Sequence, residues 1–435
     1  MDPRDILMEL IREGLRSVDP YEAIFKRVSV SREYLSIEGK LIKRRRTHVI
    51  GFGKASIKMT KAIYDLLSND IVGGVVISPE GEMKIGSIEI LRGDHPKPSI
   101  NTERASKRLL EYLGNVEEND LVIVLISGGG SALFEIPLPG IELEDIAEIT
   151  DLLMRAGADI IELNTVRKHL SAVKGGRLLR YIRSREVVSL VISDVIGDPI
   201  SFIASGPTSA DETTFRDAID ILKKKSLWNR ISERVKRVLE RGLEGEVEET
   251  IKPGDPVLSR VMNIVIASNR IALEAIEKRA FDYDLNTLFL GPYVSGEARE
   301  VGKVLVAIAK SIKFLGKPLK PPALVISGGE TTVTVRGRGV GGRNQEMCLS
   351  ALIELKDTPD IYVACIGTDG IDGNSPAAGA IIDNSAYREA LEKSLDPREY
   401  LERNDSYTFF KKINRAIETG PTGTNVGDIY LSLVV

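Results

Sequence analysis

The sequence is poor in cysteine, histidine and glutamine, and it has no long apolar run. Its two cysteines, Cys348 and Cys365, both sit in apolar settings. They exclude a disulfide framework or a cysteine zinc site and read as buried reduced thiols. The three histidines, His48, His95 and His169, are too scattered to argue for a metal centre. No apolar run approaches the roughly 18 residues that span a bilayer. The first residues, Met1-Asp-Pro-Arg-Asp5, lack the charged-then-apolar pattern of a signal peptide. A net charge of -4 gives no general attraction to nucleic acid or to a membrane, so an anionic substrate must be held by local cations. These absences lead us to expect a cytoplasmic protein with neither nucleic acid nor membrane as partner. Gln345 is the only glutamine, whereas Lys, Arg and Glu abound, a balance that points to a thermophilic source.

What is present is a 435-residue globular composition, 43% apolar and 28% charged, long enough for two or three domains. Short apolar runs alternate with amphipathic stretches. Segments 48–51, 72–77, 121–126, 187–192, 264–267, 286–290, 323–326, 333–335 and 362–366 read as strands. Segments 55–67, 102–113, 144–155, 270–278, 297–312 and 347–355 read as helices. This alternation predicts α/β layers with mainly parallel or mixed sheets. The charged, glycine-containing stretch 241–255 is the candidate boundary, giving domains at 1–250 and 256–435. A solvated loop explains that stretch equally well.

Glycine-rich loops recur at strand ends, and each has a plain reading as a turn. Ser327 to Glu346 holds six glycines, three arginines and two glutamates in twenty residues, which suggests backbone brought close to an anion. Ser127-Gly128-Gly129-Gly130-Ser131 follows a buried strand, where consecutive amides converge on an anion and where open α/β sheets bind ligands. Gly51-Phe-Gly-Lys54-Ala-Ser56 only partly matches a dinucleotide fingerprint, because Ser56 takes the third glycine position. It does place Lys54 inside the loop. Asp194 and Asp198 follow another buried strand and are hard oxygen ligands of the kind that suit Mg²⁺. Asp369 and Asp372 sit on a glycine-rich turn and can assist a metal or order the loop. Gly420 to Gly427 is a further glycine-threonine loop. Glycine amides, carboxylates, Lys54 and Arg343 together form a kit for phosphoryl transfer, which needs positioning and electrostatic stabilisation above all.

In order along the chain, eight segments resemble the glycerate 2-kinase family, whose C-terminal domain is called MOFRL. They begin at Gly51, Ser127, Ser193, Ala204, Ser327, Gly341, Gly367 and Gly420, and the match runs from about residue 5 to the C-terminus. The resemblance implies two α/β domains, the N-terminal one Rossmann-like, with an active-site cleft between them. It implies phosphorylation of D-glycerate at the 2-hydroxyl, with ATP as co-substrate and Mg²⁺ as cofactor. Lys54 and Arg343 resemble the family's active-site cations. Asp194 is assigned to catalysis and, with Asp198, to the metal, and residues Ser127 to Ser131 to the substrate. Lys174, Gly328, Gly329, Glu330 and Asn344 are assigned to the nucleotide on their chemistry. A homodimer is compatible with this reading. Two rivals stay open: an NAD(P)-dependent hydroxypyruvate reductase, a label some relatives of the family carry, and a non-catalytic nucleotide- or sugar-acid-binding protein.

Overall fold

Strands that are apolar at every position need cover on both faces, and the parallel sheet of an α/β layer provides it. Leu121–Ile126 and Thr47–Phe52 are buried at every position for this reason. The computed structural model describes residues 2–435. Contacts divide the chain into two units. The N-terminal unit comprises residues 23–193 and 198–266, and the C-terminal unit comprises 2–22, 194–197 and 267–435.

In the N-terminal unit, β1 (Val28–Val30), β2 (Tyr34–Ile37) and β3 (Lys40–Lys43) form a small antiparallel meander. The main sheet is built from β4 (Thr47–Phe52), β5 (Ile71–Ser78), β6 (Met83–Ile85), β7 (Ile88–Arg92), β8 (Leu121–Ile126), β9 (Glu186–Ile192) and β10 (Val261–Ala267). Its order is β10-β9-β8-β4-β5-β7-β6. Strands β9, β8, β4, β5 and β7 run parallel, so the loops that leave them share one edge of the sheet. Beside the sheet, helices Leu143–Arg155, Ile160–Lys168, Phe215–Lys224 and Glu233–Leu243 enclose a second apolar core. The charged stretch 241–255 lies within this unit, where Ile251 N donates to Gly175 O at 2.9 Å.

The C-terminal unit holds a mixed sheet of β11 (Asn286–Glu297), β12 (Ala323–Thr332), β13 (Ile361–Gly367), β14 (Gly379–Ile382), β15 (Ala416–Ile417) and β16 (Asp428–Val434). The order is β11-β12-β16-β13-β14-β15, and only β11 and β12 pair in parallel. The chain's last strand is therefore an inner one. Helices Ala298–Leu315 and Arg343–Leu355 supply much of the core on this sheet. Helix Pro3–Ser17, from the start of the chain, packs on helix Asn269–Ala280, with Gly14 admitting Ile276.

The α/β class expected from the alternation holds. One expected strand does not. β12 ends at Thr332, and residues 333–335 are irregular. The Thr334 amide is taken by the Glu297 side chain, and just beyond the segment Arg336 N donates to Asn404 Oδ1.

Gly302 marks where the two core helices touch. A Cβ there would lie 2.5 Å from Met347 O. Overpacking costs about 1–3 kcal/mol, and the better helix propensity of alanine returns up to about 1 kcal/mol. Gly302→Ala should therefore lower the Tm, and an unchanged or raised Tm in thermal denaturation would contradict this packing.

Candidate active site

At the edge where the parallel strands end, two loops are stitched together. Lys54 N donates to Gly128 O at 2.9 Å, and Ala55 N donates to Ser127 Oγ at 3.1 Å. The join leaves no room for a side chain at Gly53. Its φ is +136°, and a Cβ would fall 2.1 Å from Ser127 Oγ. Gly129 also has a positive φ, +80°, and a Cβ there would meet both His95 and Lys54.

Of the expected substrate contacts, Gly128, Gly129 and Ser131 keep exposed surface, while Ser127 and Gly130 are buried. The buried Ser127 hydroxyl accepts from Ala55 N and serves the join. The amides of Gly128, Gly129 and Ser131 find no acceptor among the described residues. The Ser131 hydroxyl bonds Ser205 Oγ at 2.9 Å. Lys54 is exposed, and its ammonium makes no ion pair or hydrogen bond among the described residues. An unpaired cation beside unpaired amides can hold a phosphate or a carboxylate.

Behind this loop lies a buried ionic layer. Lys174 and Glu135 are both wholly buried, with Nζ 2.9 Å from Oε2. Lys174 also donates to Phe134 O at 2.7 Å, and Ser171 Oγ donates to Glu135 Oε1 at 2.5 Å. Burial pulls Lys174 down to about 8, with Glu135 opposing. Arg167, partly buried, donates to Ser131 O at 3.1 Å. Lys174 thus braces residues 134–135 from inside, and Arg167 holds Ser131. Asp194 and Asp198 are partly buried and each has a partner in the protein.

The C-terminal unit has its own concave site, a cavity of about 770 Å³ lined by residues that include Glu330, Arg343, Asp369 and Asp372. Arg343 opens helix Arg343–Leu355 and is gripped by carboxylates. Its Nε donates to Asp428 Oδ2 at 2.6 Å, its Nη2 to Asp428 Oδ1 at 3.1 Å and its Nη1 to Glu330 Oε1 at 2.6 Å. Burial by itself would lower its pKa. Asp428 and Glu330 outweigh that and hold it above the ordinary guanidinium value. Asp372 caps the same helix, accepting from the amides of Asn344 and Gln345 at 3.1 and 2.8 Å and from both their side chains. Burial, reinforced by Asp428, pushes Asp372 up to about 6 against those four donors. Of the two roles left open for Asp372, ordering the loop is the one this geometry carries.

Three further expected nucleotide contacts are buried. Gly328 and Gly329 are buried in β12, where a Cβ would lie 2.2 Å from Asn269 Oδ1 and 2.0 Å from Val294 O. Their lack of side chains makes room for the start of helix Asn269–Ala280 at Gly328 and for β11 at Gly329. Asn344 is 1% exposed and donates to Asp372 and Asp428. Glu330 alone of that group faces the cavity. Asp428, which the sequence reading missed, stands at the entry to a C-terminal apolar run. Its signal was a carboxylate just before a buried strand. His95 was missed as well, although Gly93-Asp-His-Pro96 is a turn at a strand exit.

Breaking one side of a buried ion pair costs about 3–5 kcal/mol. Lys174→Met should lower the Tm accordingly. A variant with unchanged Tm and a raised KM for ATP would return Lys174 to the nucleotide.

Two family models match the chain: a domain of unknown function (DUF4147) over residues 6–240 and the MOFRL family over residues 323–428. A glycerate 2-kinase from Pyrococcus horikoshii is 43% identical, over 100% of this chain and 98% of that protein. The crystal structure of a glycerate kinase from Thermotoga maritima superposes with a TM-score of 0.90 at 39% identity, covering 99% of each chain. A protein of Agrobacterium vitis named putative hydroxypyruvate reductase is 38% identical, over 99% of this chain and 94% of that one. With its motifs in order and its matches running end to end, the chain belongs to the glycerate 2-kinase family.

Proposed function

We propose that the protein transfers the γ-phosphoryl group of ATP to the 2-hydroxyl of D-glycerate, giving 2-phosphoglycerate and ADP. The observation that carries this reading is the unpaired Lys54, whose stem runs beside Gly129, together with the unpaired amides of Gly128, Gly129 and Ser131. Phosphoryl transfer spreads charge over the equatorial oxygens, and fixed donors that meet this charge lower the barrier. Lys54 is the cation assigned to the γ-phosphoryl group. The amides and the Ser131 hydroxyl orient the acid. Arg343, locked by Asp428, presents a fixed guanidinium edge to an anionic group, and Glu330 is the cavity residue assigned to the nucleotide.

Among the described residues, no group of three or more His, Cys, Asp or Glu side chains could hold a metal ion. That donor set suits an ion that arrives with nucleotide phosphates and takes one or two protein carboxylates. Asp194 and Asp198 are the candidate ligands for Mg²⁺, which when bound neutralises charge on the β- and γ-phosphates. The net charge of -4 asks for no nucleic acid, and among the described residues no helix is long and apolar enough to cross a membrane. Action in the cytoplasm and assembly as a homodimer belong to the same proposal.

The reductase reading is disfavoured at the Gly51 loop. A dinucleotide fingerprint wants glycine at its third position for close helix–strand packing. Here Ser56 is buried, and its hydroxyl donates to Gly53 O at 2.8 Å and Ile77 O at 3.1 Å.

Incubation with ATP and D-glycerate should consume ATP only when the acid is present, and phosphorus NMR should find the phosphate on the 2-oxygen. Oxidation of NAD(P)H by hydroxypyruvate would instead establish the reductase. Acid-independent nucleotide binding without turnover would establish a binding protein. Arg343→Ala should lower kcat/KM for glycerate by about 10²-fold or more, and near-normal kcat/KM would remove Arg343 from the site.

A further inference from the structure

The reaction proposed above leaves one task unassigned: the 2-hydroxyl must lose a proton. The chain's three histidines differ sharply in their surroundings. His48 is buried in β4, with Nδ1 2.7 Å from the Tyr112 hydroxyl and Nε2 2.9 Å from Asp120 Oδ2. His169 is buried, with Nδ1 2.7 Å from Thr165 O and Nε2 3.1 Å from Glu249 Oε2. Both have every ring nitrogen engaged, so both are structural. His95 is exposed, and neither of its ring nitrogens has a hydrogen-bond partner among the described residues.

Yet His95 does not hang on a loose loop. Gly93 N donates to Ser78 O at 3.0 Å, and Asp94 N donates to Thr102 Oγ1 at 3.0 Å. The Asp94 carboxylate accepts from Asn101 Nδ2 at 2.9 Å and from the Ser99 hydroxyl. This turn follows β7, on the edge where β4 and β8 also end. It sets the imidazole against the glycine loop. A Cβ on Gly129 would lie 2.9 Å from His95 Cδ2, 3.3 Å from His95 Nε2 and 3.3 Å from Lys54 Cγ. One glycine is thus flanked by the imidazole and by the stem of the free lysine.

We infer that His95 is the general base that accepts the hydroxyl proton of the acid phosphorylated beside Lys54. The inference rests on the kinase reading. As the hydroxyl oxygen bonds to the γ-phosphorus, its proton passes to a ring nitrogen of His95. The bond from that phosphorus to the β–γ bridging oxygen breaks, and its electron pair leaves with ADP. The imidazolium then returns its proton to water.

A base must be neutral before the step. Partial desolvation against the glycine loop and the Lys54 charge both hold His95 below its ordinary value, though the ring keeps an exposed face. Lys54 is the charged group facing the ring from another element. The Gly128–Gly130 backbone brings no charge, and Arg92, Asp94 and Lys97 flank it on its own segment. Lys54, which must stay charged to meet the phosphoryl group, cannot serve as this base.

The test is His95→Gln in the full-length protein, assayed with ATP and D-glycerate between about pH 5 and 8. Loss of a general base costs about 10²–10⁴-fold, so kcat should fall at least about 10²-fold while KM for both substrates stays within a few-fold. The Tm should not change, because the ring makes no hydrogen bond. In the wild type, log kcat/KM should fall with unit slope as pH drops below the His95 pKa, and this acid limb should vanish in the variant. Asp372 also titrates near this range, at about 6. An acid limb retained in His95→Gln but lost in Asp372→Asn would overturn the inference. So would a kcat within about threefold of wild type, or a raised KM for ATP with the limb intact, which would assign the ring to phosphate binding. Failure of the wild type to phosphorylate glycerate would instead overturn the kinase reading itself.

Discussion

Two amide hydrogen bonds at the end of a parallel sheet set up the chemistry of this protein. Lys54 N to Gly128 O and Ala55 N to Ser127 Oγ join the loops after β4 and β8. The join needs glycine at 53, because any side chain would strike Ser127. It fixes the backbone on both sides of Lys54 while leaving the ammonium unpaired. Directional donors that are fixed before the substrate arrives need no reorganisation during the reaction, and this is the main electrostatic lever of phosphoryl-transfer enzymes. The buried Lys174–Glu135 pair and Arg167 act on the same loop from behind.

The C-terminal unit handles its cation differently. Arg343 is held by two carboxylates, one buried and one exposed. Asp428 at its back is fixed in an inner strand and further engaged by Asn344 and Tyr430. The bidentate grip sets the plane of the guanidinium, and planarity is what separates arginine from lysine as an anion receptor. Glu330, about half exposed, is the weaker partner in a solvated position. An anion entering the cavity competes with a side chain for one edge of a guanidinium that is already oriented.

Much of this was legible in the sequence, for identifiable reasons. Buried parallel strands such as Leu121–Ile126 announce themselves by being apolar throughout, and the glycine loops at their ends mark the ligand edge. Lys54 was legible because it sits inside such a loop. What a glycine is for was not legible. Gly128 and Gly129 present backbone to solvent, whereas Gly328 and Gly329 make room for Asn269 and Val294. Composition is the same in both cases, and only tertiary packing separates them. The burial of Lys174 and Asn344 was not legible for a related reason: polar side chains near a motif look available until their buried partners are known. At 333–335 the Glu297 side chain takes the Thr334 amide, and Asn404 takes the amides of Arg336 and Gly337 just beyond, where a strand would have paired with its neighbour. Asp428 acts across 85 residues of sequence, so its place at the start of a buried strand is visible locally but its pairing with Arg343 is not.

The central claim is that an unpaired Lys54, held by the glycine-loop join, stabilises the transferring phosphoryl group. Its most direct test is the kcat of Lys54→Met for ATP-dependent phosphorylation of D-glycerate, measured beside the Tm. Removing one fixed donor of this kind costs about 10²–10³-fold. The account predicts a fall of that size with the Tm unchanged, because the side chain makes no contact that folding uses. A variant that keeps kcat within a few-fold of wild type would contradict it.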